Sequence, residues 1–306
     1  MKEISAMRKV LAVHDAAPPH WVGDGFPVRS VFSYDGLGRE ALSPFLMLDY
    51  AAPRHFDPAA RRRGVGVHPH RGFETVTIVY AGELEHRDSA GNGGRIGPGD
   101  VQWMTAASGI LHEEFHSERF TREGGTMSMM QLWVNLPARH KMAKPRYQTI
   151  LDASIPRVPL AGDAGQLRVI AGEYEGHKGP AETFTPMQVW DLRIADGKTV
   201  TLKTPEGHTT AIVPMQGRAT VSGAHAAGPA QIVQLARDGG EFTIAAEGEL
   251  SALVLAGEPI GEPVVGYGPF VMNSEREIAA AFADFQGGRF GEMQEAADQA
   301  GGSRPR

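Results

Sequence analysis

Four side chains in the first half of the chain have the types and spacing to hold a transition metal. His68 and His70 lie in His68-Pro69-His70-Arg71-Gly72-Phe73-Glu74, and His112 and Glu114 in Gly109-Ile110-Leu111-His112-Glu113-Glu114. Successive side chains on a β-strand point to opposite faces, so residues i and i+2 share one. His68 and His70 therefore point the same way, as do His112 and Glu114. Two such pairs on facing strands can converge on one point inside a β-barrel. Three imidazoles and a carboxylate suit a first-row transition ion, and the lack of any thiolate argues against a purely structural zinc site. Four protein ligands also leave one or two coordination positions open, as metal-dependent oxygen chemistry requires. Either pair alone is common in surface loops; both in order, with strand patterning and glycine-rich turns between them, make a constellation.

The intervening sequence supplies the strands. Thr75-Val76-Thr77-Ile78-Val79-Tyr80 alternates polar and apolar, and Gly91-Asn92-Gly93-Gly94 and Pro98-Gly99-Asp100 are turns that deliver Val101–Met104 as a further strand. Met127–Leu136 reads as a central strand ended by Pro137, since proline cannot donate to a ladder. Upstream, residues 1–27 read as an irregular arm packed on the first barrel, Val28–Phe32 and Phe45–Tyr50 as strands, and 51–66 as a polar, basic loop. Ala143–Pro159, with three prolines, reads as the connection to a second all-β unit. There strand-like runs recur at Leu167–Ala171, Gln188–Ile194, Thr199–Leu202, Thr209–Met215, Ala219–Ser222, Gln231–Leu235, Glu241–Ala245 and Leu250–Ala256.

Aligning Gly217 with Gly82 puts Lys203, Pro205 and Thr209 where His68, His70 and Glu74 stand, so the second unit reads as a copy of the first without ligands. His177, His208 and His225 have no partner at strand spacing and read as ordinary surface or core residues. Ser274-Glu275-Arg276-Glu277 fits a capping box, and Ile278, Ala281, Phe282 and Phe285 recur at helical spacing before Gly287-Gly288, which predicts one C-terminal helix. Residues 291–306 read as disordered.

Composition bounds the function. The 306 residues suggest two domains of about 150 each. Thirty-eight glycines and 21 prolines fit many short strands. A net charge of −6 disfavours direct nucleic-acid binding, and Arg61-Arg62-Arg63 reads as a solvated loop. The absence of cysteine excludes disulfides, thiol catalysis and cysteine zinc sites. No apolar run approaches a membrane span, and Met1–Val13 lacks the apolar core of a signal peptide, so the expectation is a cytoplasmic protein with no membrane contact, and a monomer.

The motifs around the four candidate ligands resemble the pirin family of the cupin superfamily. The likeness is carried by His68 to Glu74, Pro98 to Thr105, Gly109 to Glu114, Gln131-Leu132-Trp133-Val134-Asn135-Leu136-Pro137, Gly257-Glu258-Pro259 and Gly268-Pro269-Phe270-Val271-Met272-Asn273, and spans most of 28–290. It implies an all-β bicupin: two tandem cupin barrels with a short C-terminal helix, a metal-binding N-terminal barrel over 1–148 and a metal-free one over 149–306. It implies one metal, usually iron, held by His68, His70, His112 and Glu114, with manganese, nickel, copper, cobalt or zinc as substitutes.

Glu74 shares the parity of His70 on an unbroken strand, although Gly72 can break it. It is expected beside the ligands or as an occasional ligand, and with Glu114 as a candidate proton acceptor in catalysis. His116 is a minor rival ligand. Glu113 is expected to be structural, His86 an exposed strand residue, and Gln131 and Trp133 core or barrel-wall residues, with lining of the pocket as the lesser alternative. The resemblance implies a quercetin 2,3-dioxygenase-type activity on a flavonol, or else a non-enzymatic, metal- and redox-sensing regulator that binds a protein partner, as a transcriptional coregulator does.

Overall fold

The computed structural model describes residues 7–224 and 226–293. The alternating run around Thr75 becomes the middle of strand Phe73–Ala81, paired antiparallel to Gly125–Asn135 on one side and Val101–Thr105 on the other. These three are the heart of a seven-stranded sheet, ordered Arg146–Ile150, Val101–Thr105, Phe73–Ala81, Gly125–Asn135, Phe45–Phe56, Phe26–Phe32 and His20–Val22. A four-stranded sheet, ordered Gly64–His70, Ile110–His116, Leu84–Asp88 and Gly93–Ile96, completes the first barrel. The polar loop expected over 51–66 shortens to 57–63, because strand Phe45–Phe56 continues along Gly125–Asn135 as far as the pairing of Phe56 with Gly125 and strand Gly64–His70 already begins at Gly64.

Both faces of strand Phe73–Ala81 are buried, and the alternation sorts them. Val76 and Ile78 join Val101, Trp103, Leu132 and Val134 in one apolar cluster with Ile170, Val189, Val213, Leu253 and Leu255 of the second half. That face is the joint between barrels. Thr75 and Thr77, each 1% exposed, point the other way, into the first barrel. The polar half of the pattern therefore lines a protein interior instead of meeting water.

The second half forms a nine-stranded sheet whose spine runs Ile232–Leu235, Thr209–Val221, Glu241–Gly257, Met187–Ile194, Gly165–Ala171 and Arg157–Leu160. Leu167, Val169, Trp190, Leu192, Leu202, Ile212, Phe242, Ile244 and Val254 fill it, so apolar packing occupies the volume that histidines line in the first barrel. The expected connection resolves into two strands, Arg146–Ile150 in the first sheet and Arg157–Leu160 in the second.

The termini cross between the barrels. Val10–His14 pairs with Ile232–Leu235 of the second sheet, so the start of the arm lies on the second barrel and not on the first. At the other end, the hairpin Val265–Tyr267/Phe270–Met272 and helix Glu275–Gln286 return to the first barrel, where Arg71 Nη1 meets Asp284 Oδ2 at 2.9 Å. The helix forms as predicted, with Ser274 Oγ accepting from the Glu277 amide at 3.3 Å. Glu118–Glu123 and Glu275–Gln286 are the α-helices among the described residues, and neither is long and apolar enough to cross a membrane. His225 and the tail from residue 294 lie outside the described residues.

Candidate metal centre

Strands Gly64–His70 and Ile110–His116 pair antiparallel with His68 directly opposite His112. His70, two residues on, shares the face. The three imidazoles gather, with ring centroids 4.2 Å (His68–His112), 4.7 Å (His70–His112) and 4.8 Å (His68–His70) apart. One nitrogen from each lies within 4.8 Å of the others, close enough for a single ion to bridge them.

Their electrostatics suit a metal. Burial drives the pKa of His70 and His112 well below the ordinary imidazole value, helped by the neighbouring histidines. Burial lowers His68 as well. All three rings are therefore neutral near pH 7, with lone pairs free for coordination. A carbonyl can only accept, so the 2.8 Å contact between His68 Nδ1 and Gly66 O puts the proton on Nδ1 and leaves Nε2 as the donor atom. His70 Nδ1 and both nitrogens of His112 are buried without a protein partner. Leaving such groups unsatisfied costs about 1–3 kcal/mol each, a cost that coordination removes. The residues fit a divalent transition ion.

Glu114 lies on the same side of the barrel, but the register shifts between it and His112: His112 faces His68, while Glu114 faces Val65. Its carboxylate stands apart from the group of nitrogens, with Oε1 3.4 Å from Thr77 Oγ1. Thr77 Oγ1 is nearer Gln131 Oε1, at 2.9 Å, and has one proton to give. Burial raises the Glu114 pKa to about 7, so its carboxyl can itself be the donor to Thr77 near neutrality.

Glu74 is placed differently. Gly72 takes a φ of 91°, turns the chain, and breaks the parity that would have carried Glu74 to the face of His70. Glu74 pairs across to Thr105 and Val134 on the face that meets the second barrel, and its Oε1 accepts from Thr105 Oγ1 at 2.7 Å. It does not approach the histidines. Burial raises its pKa to about 7, against the pull of Thr105, Trp103 and Arg146. A carboxyl raised in the folded state favours folding below its unfolded pKa and loses that contribution as pH climbs through the folded value. Glu74→Gln is accordingly expected to leave stability unchanged near pH 4 and to raise it by up to ~3 kcal/mol above pH 7.5, since each pKa unit is worth about 1.4 kcal/mol. Urea melts at the two pH values measure this, and an equal effect at both would refute it.

His116 is buried elsewhere, its Nε2 3.0 Å from Gly25 O and its ring among Phe26, Phe56 and Phe120, so it does not join the cluster. Glu113 points outward to Arg87. His86, expected to be exposed, is 3% exposed and lies inside the barrel. The sequence carried a signal for it: His86 has the parity of Leu84 and Asp88 on a strand flanked by glycine turns. Trp133 is a wall residue of the site, its ring centroid 5.3 Å from that of His70 and 4.2 Å from that of Phe73, on which it stacks.

The returning C-terminal hairpin secures the ligand strand. The Val271 amide donates to Arg71 O at 3.0 Å, and Lys141 Nζ donates to Gly72 O (2.7 Å), Asn135 Oδ1 (2.7 Å) and Val271 O (2.9 Å).

Two tandem cupin barrels, one apolar inside and one with a converging histidine triad, define a bicupin with a candidate metal centre in its first barrel. The chain belongs to the pirin family: residues 25–134 match Pirin, and residues 189–291 match the Pirin C-terminal cupin domain. It is 60% identical to the Pseudomonas aeruginosa protein named "Putative quercetin 2,3-dioxygenase PA2418" over 93% of this chain and 99% of that one. It is 36% identical to Pirin-1 of Arabidopsis thaliana over 88% of this chain and 90% of that protein. A crystal structure described as quercetin 2,3-dioxygenase from Acinetobacter baumannii superposes with a TM-score of 0.92 at 52% identity, covering 94% of this chain and all of that one.

Proposed function

We propose that the first barrel holds one transition-metal ion, iron in preference to manganese, nickel, copper, cobalt or zinc, on His68, His70, His112 and Glu114. There it oxygenates a flavonol or a similar enolisable aromatic in a quercetin 2,3-dioxygenase-type reaction. The observation that carries this reading is the convergence of three neutral imidazoles, two of them buried with nitrogens that have no protein partner. The names of the 60% and 52% identical relatives support the choice of substrate.

When bound, the metal supplies a Lewis acid that lowers the pKa of a coordinated hydroxyl and a centre at which O₂ reacts. The chain's own residues do the rest. Glu114 is the carboxylate on the histidine side of the barrel, and so the group placed to accept the substrate's hydroxyl proton. Glu74, on the far face, takes no part. His68 is the least buried of the three histidines, so substrate arrives on its side. Trp133, backed by the buried Phe73 on which it stacks and with Tyr34 6.3 Å away, offers flat apolar surface to an aromatic ring system.

The test is metal content by mass spectrometry alongside O₂ uptake with quercetin. Near-stoichiometric iron, with uptake that disappears in Glu114→Ala, is the expected result. Stoichiometric iron without uptake would overturn the substrate assignment, and failure to take up any metal after reconstitution would overturn the centre itself.

A further inference from the structure

His86 is a fourth buried imidazole in the first barrel, and neither its burial nor its partner follows from the histidine triad. It stands on strand Leu84–Asp88 directly opposite Glu114. Directly opposed residues of an antiparallel pair share a face with Cβ atoms about 4.5–5.5 Å apart. Its Nε2 bonds to the Tyr147 hydroxyl, and the Tyr147 ring stacks on it with centroids 4.4 Å apart and planes at 29°. Tyr147 belongs to the other sheet of the barrel, on strand Arg146–Ile150, so the imidazole is clamped from across the interior. Its Nδ1 is buried with no protein partner.

We propose that His86, clamped by Tyr147, is a positioning residue of the metal centre, whose Nδ1–H holds the Glu114 carboxylate toward His68, His70 and His112. This rests on the reading of Glu114 as the fourth ligand. A neutral imidazole carries one N–H, on either ring nitrogen. When Tyr147 donates its only proton to Nε2, that N–H is Nδ1, and the atom at the opposed position able to accept it is a carboxylate oxygen. Ionised Glu114 needs such a donor, because Thr77, 3.4 Å away, has a nearer acceptor in Gln131. Metal-binding side chains held by an outer hydrogen bond lose about 10- to 100-fold in affinity when that bond is removed.

The experiment uses cobalt(II) alone as probe, with affinity from chelator competition and coordination from the visible spectrum of the full-length protein. His86→Phe removes the donor but keeps a ring, and is expected to weaken binding by about 10-fold or more and to shift the cobalt bands. His86→Asn restores an N–H near the Nδ1 position and is expected to stay within about threefold of the parent, a rescue that a merely space-filling role would not give. Tyr147→Phe is expected to weaken binding in the same direction, which keeps the idea testable if His86→Phe does not fold. The double variant His86→Phe/Glu114→Gln is expected to bind no more weakly than Glu114→Gln alone, because both changes remove one unit. If Glu114→Gln weakens binding while His86→Phe, or Tyr147→Phe in its place, leaves affinity and spectrum unchanged, the positioning role is refuted and Glu114 stands as ligand. If Glu114→Gln itself changes nothing, the four-ligand reading fails and takes this proposal with it.

Discussion

Replacing His112 by alanine is expected to strip the first barrel of its metal and to reduce oxygen uptake with quercetin to background. His112 is the hub of the triad, with ring centroids 4.2 Å from His68 and 4.7 Å from His70, and it is 1% exposed. Without it two imidazoles remain on one strand and no imidazole faces them from the next. The loss should exceed the roughly 10- to 100-fold that outer partners of a metal site cost.

The fold is expected to survive the change. A large-to-small substitution in a core costs about 2–5 kcal/mol, but alanine also removes two buried nitrogens that have no protein partner, each a penalty of about 1–3 kcal/mol. The two effects largely offset in the metal-free protein. The diagnostic quantity is the metal-dependent rise in melting temperature. A ligand at a thousand times its Kd stabilises by about 4 kcal/mol. The parent should show that rise and His112→Ala should not. A variant that melts like the parent with and without metal, and still carries one ion per chain, would show that His112 is not a ligand.

Gly72→Ala is expected to have the largest effect on stability of any single methyl addition near the site. Its φ of 91° lies in the left-handed region, and a Cβ would sit 1.9 Å from the Val271 carbonyl oxygen and 2.8 Å from Met272 Sδ. The turn cannot relax cheaply. The Gly72 amide donates to Ala107 O at 2.8 Å, and its carbonyl accepts from Lys141 Nζ at 2.7 Å. Strain of about 1–3 kcal/mol for the backbone and about 1–3 kcal/mol for overpacking add to roughly 2–6 kcal/mol. Because Gly72 is two residues beyond His70, relief by movement of the turn would displace the imidazole, so metal affinity should fall together with stability. Chemical denaturation with and without cobalt(II) reads both. A loss under about 1 kcal/mol with unchanged affinity would mean that the C-terminal hairpin does not hold this turn rigidly.

Much of the site was legible because a strand has a fixed period. Two residues apart means one face, so His68 with His70 needed only the assumption of an unbroken strand, and His112 needed only a neighbouring strand in register. The apolar filling of the second barrel was legible too, in the strand-like apolar runs whose inward positions pack into its core.

Where the period is interrupted, the reading stopped. The turn at Gly72 sends Glu74 to the joint between the barrels, and the register shift after His112 sets Glu114 beside Thr77 and His86 instead of among the three nitrogens. A glycine or a bulge leaves composition and spacing intact while rotating everything beyond it, and the sequence does not record which way.

Long-range contacts lay further out of reach. Thr75 and Thr77 look like the wet side of a two-faced strand, yet closure of the barrel turns that side inward. His86 becomes an interior residue for the same reason. The exchange of termini, with Val10–His14 on the second barrel and residues 265–290 over the first, depends on edges and surfaces that exist only after both barrels have formed. The sequence by itself determined the strands, the donor atoms and which barrel could carry them. The tertiary structure decided which face became interior, which carboxylate stayed near the histidines and what clamps them, because those outcomes depend on free-energy differences between packings of distant segments and not on any local pattern.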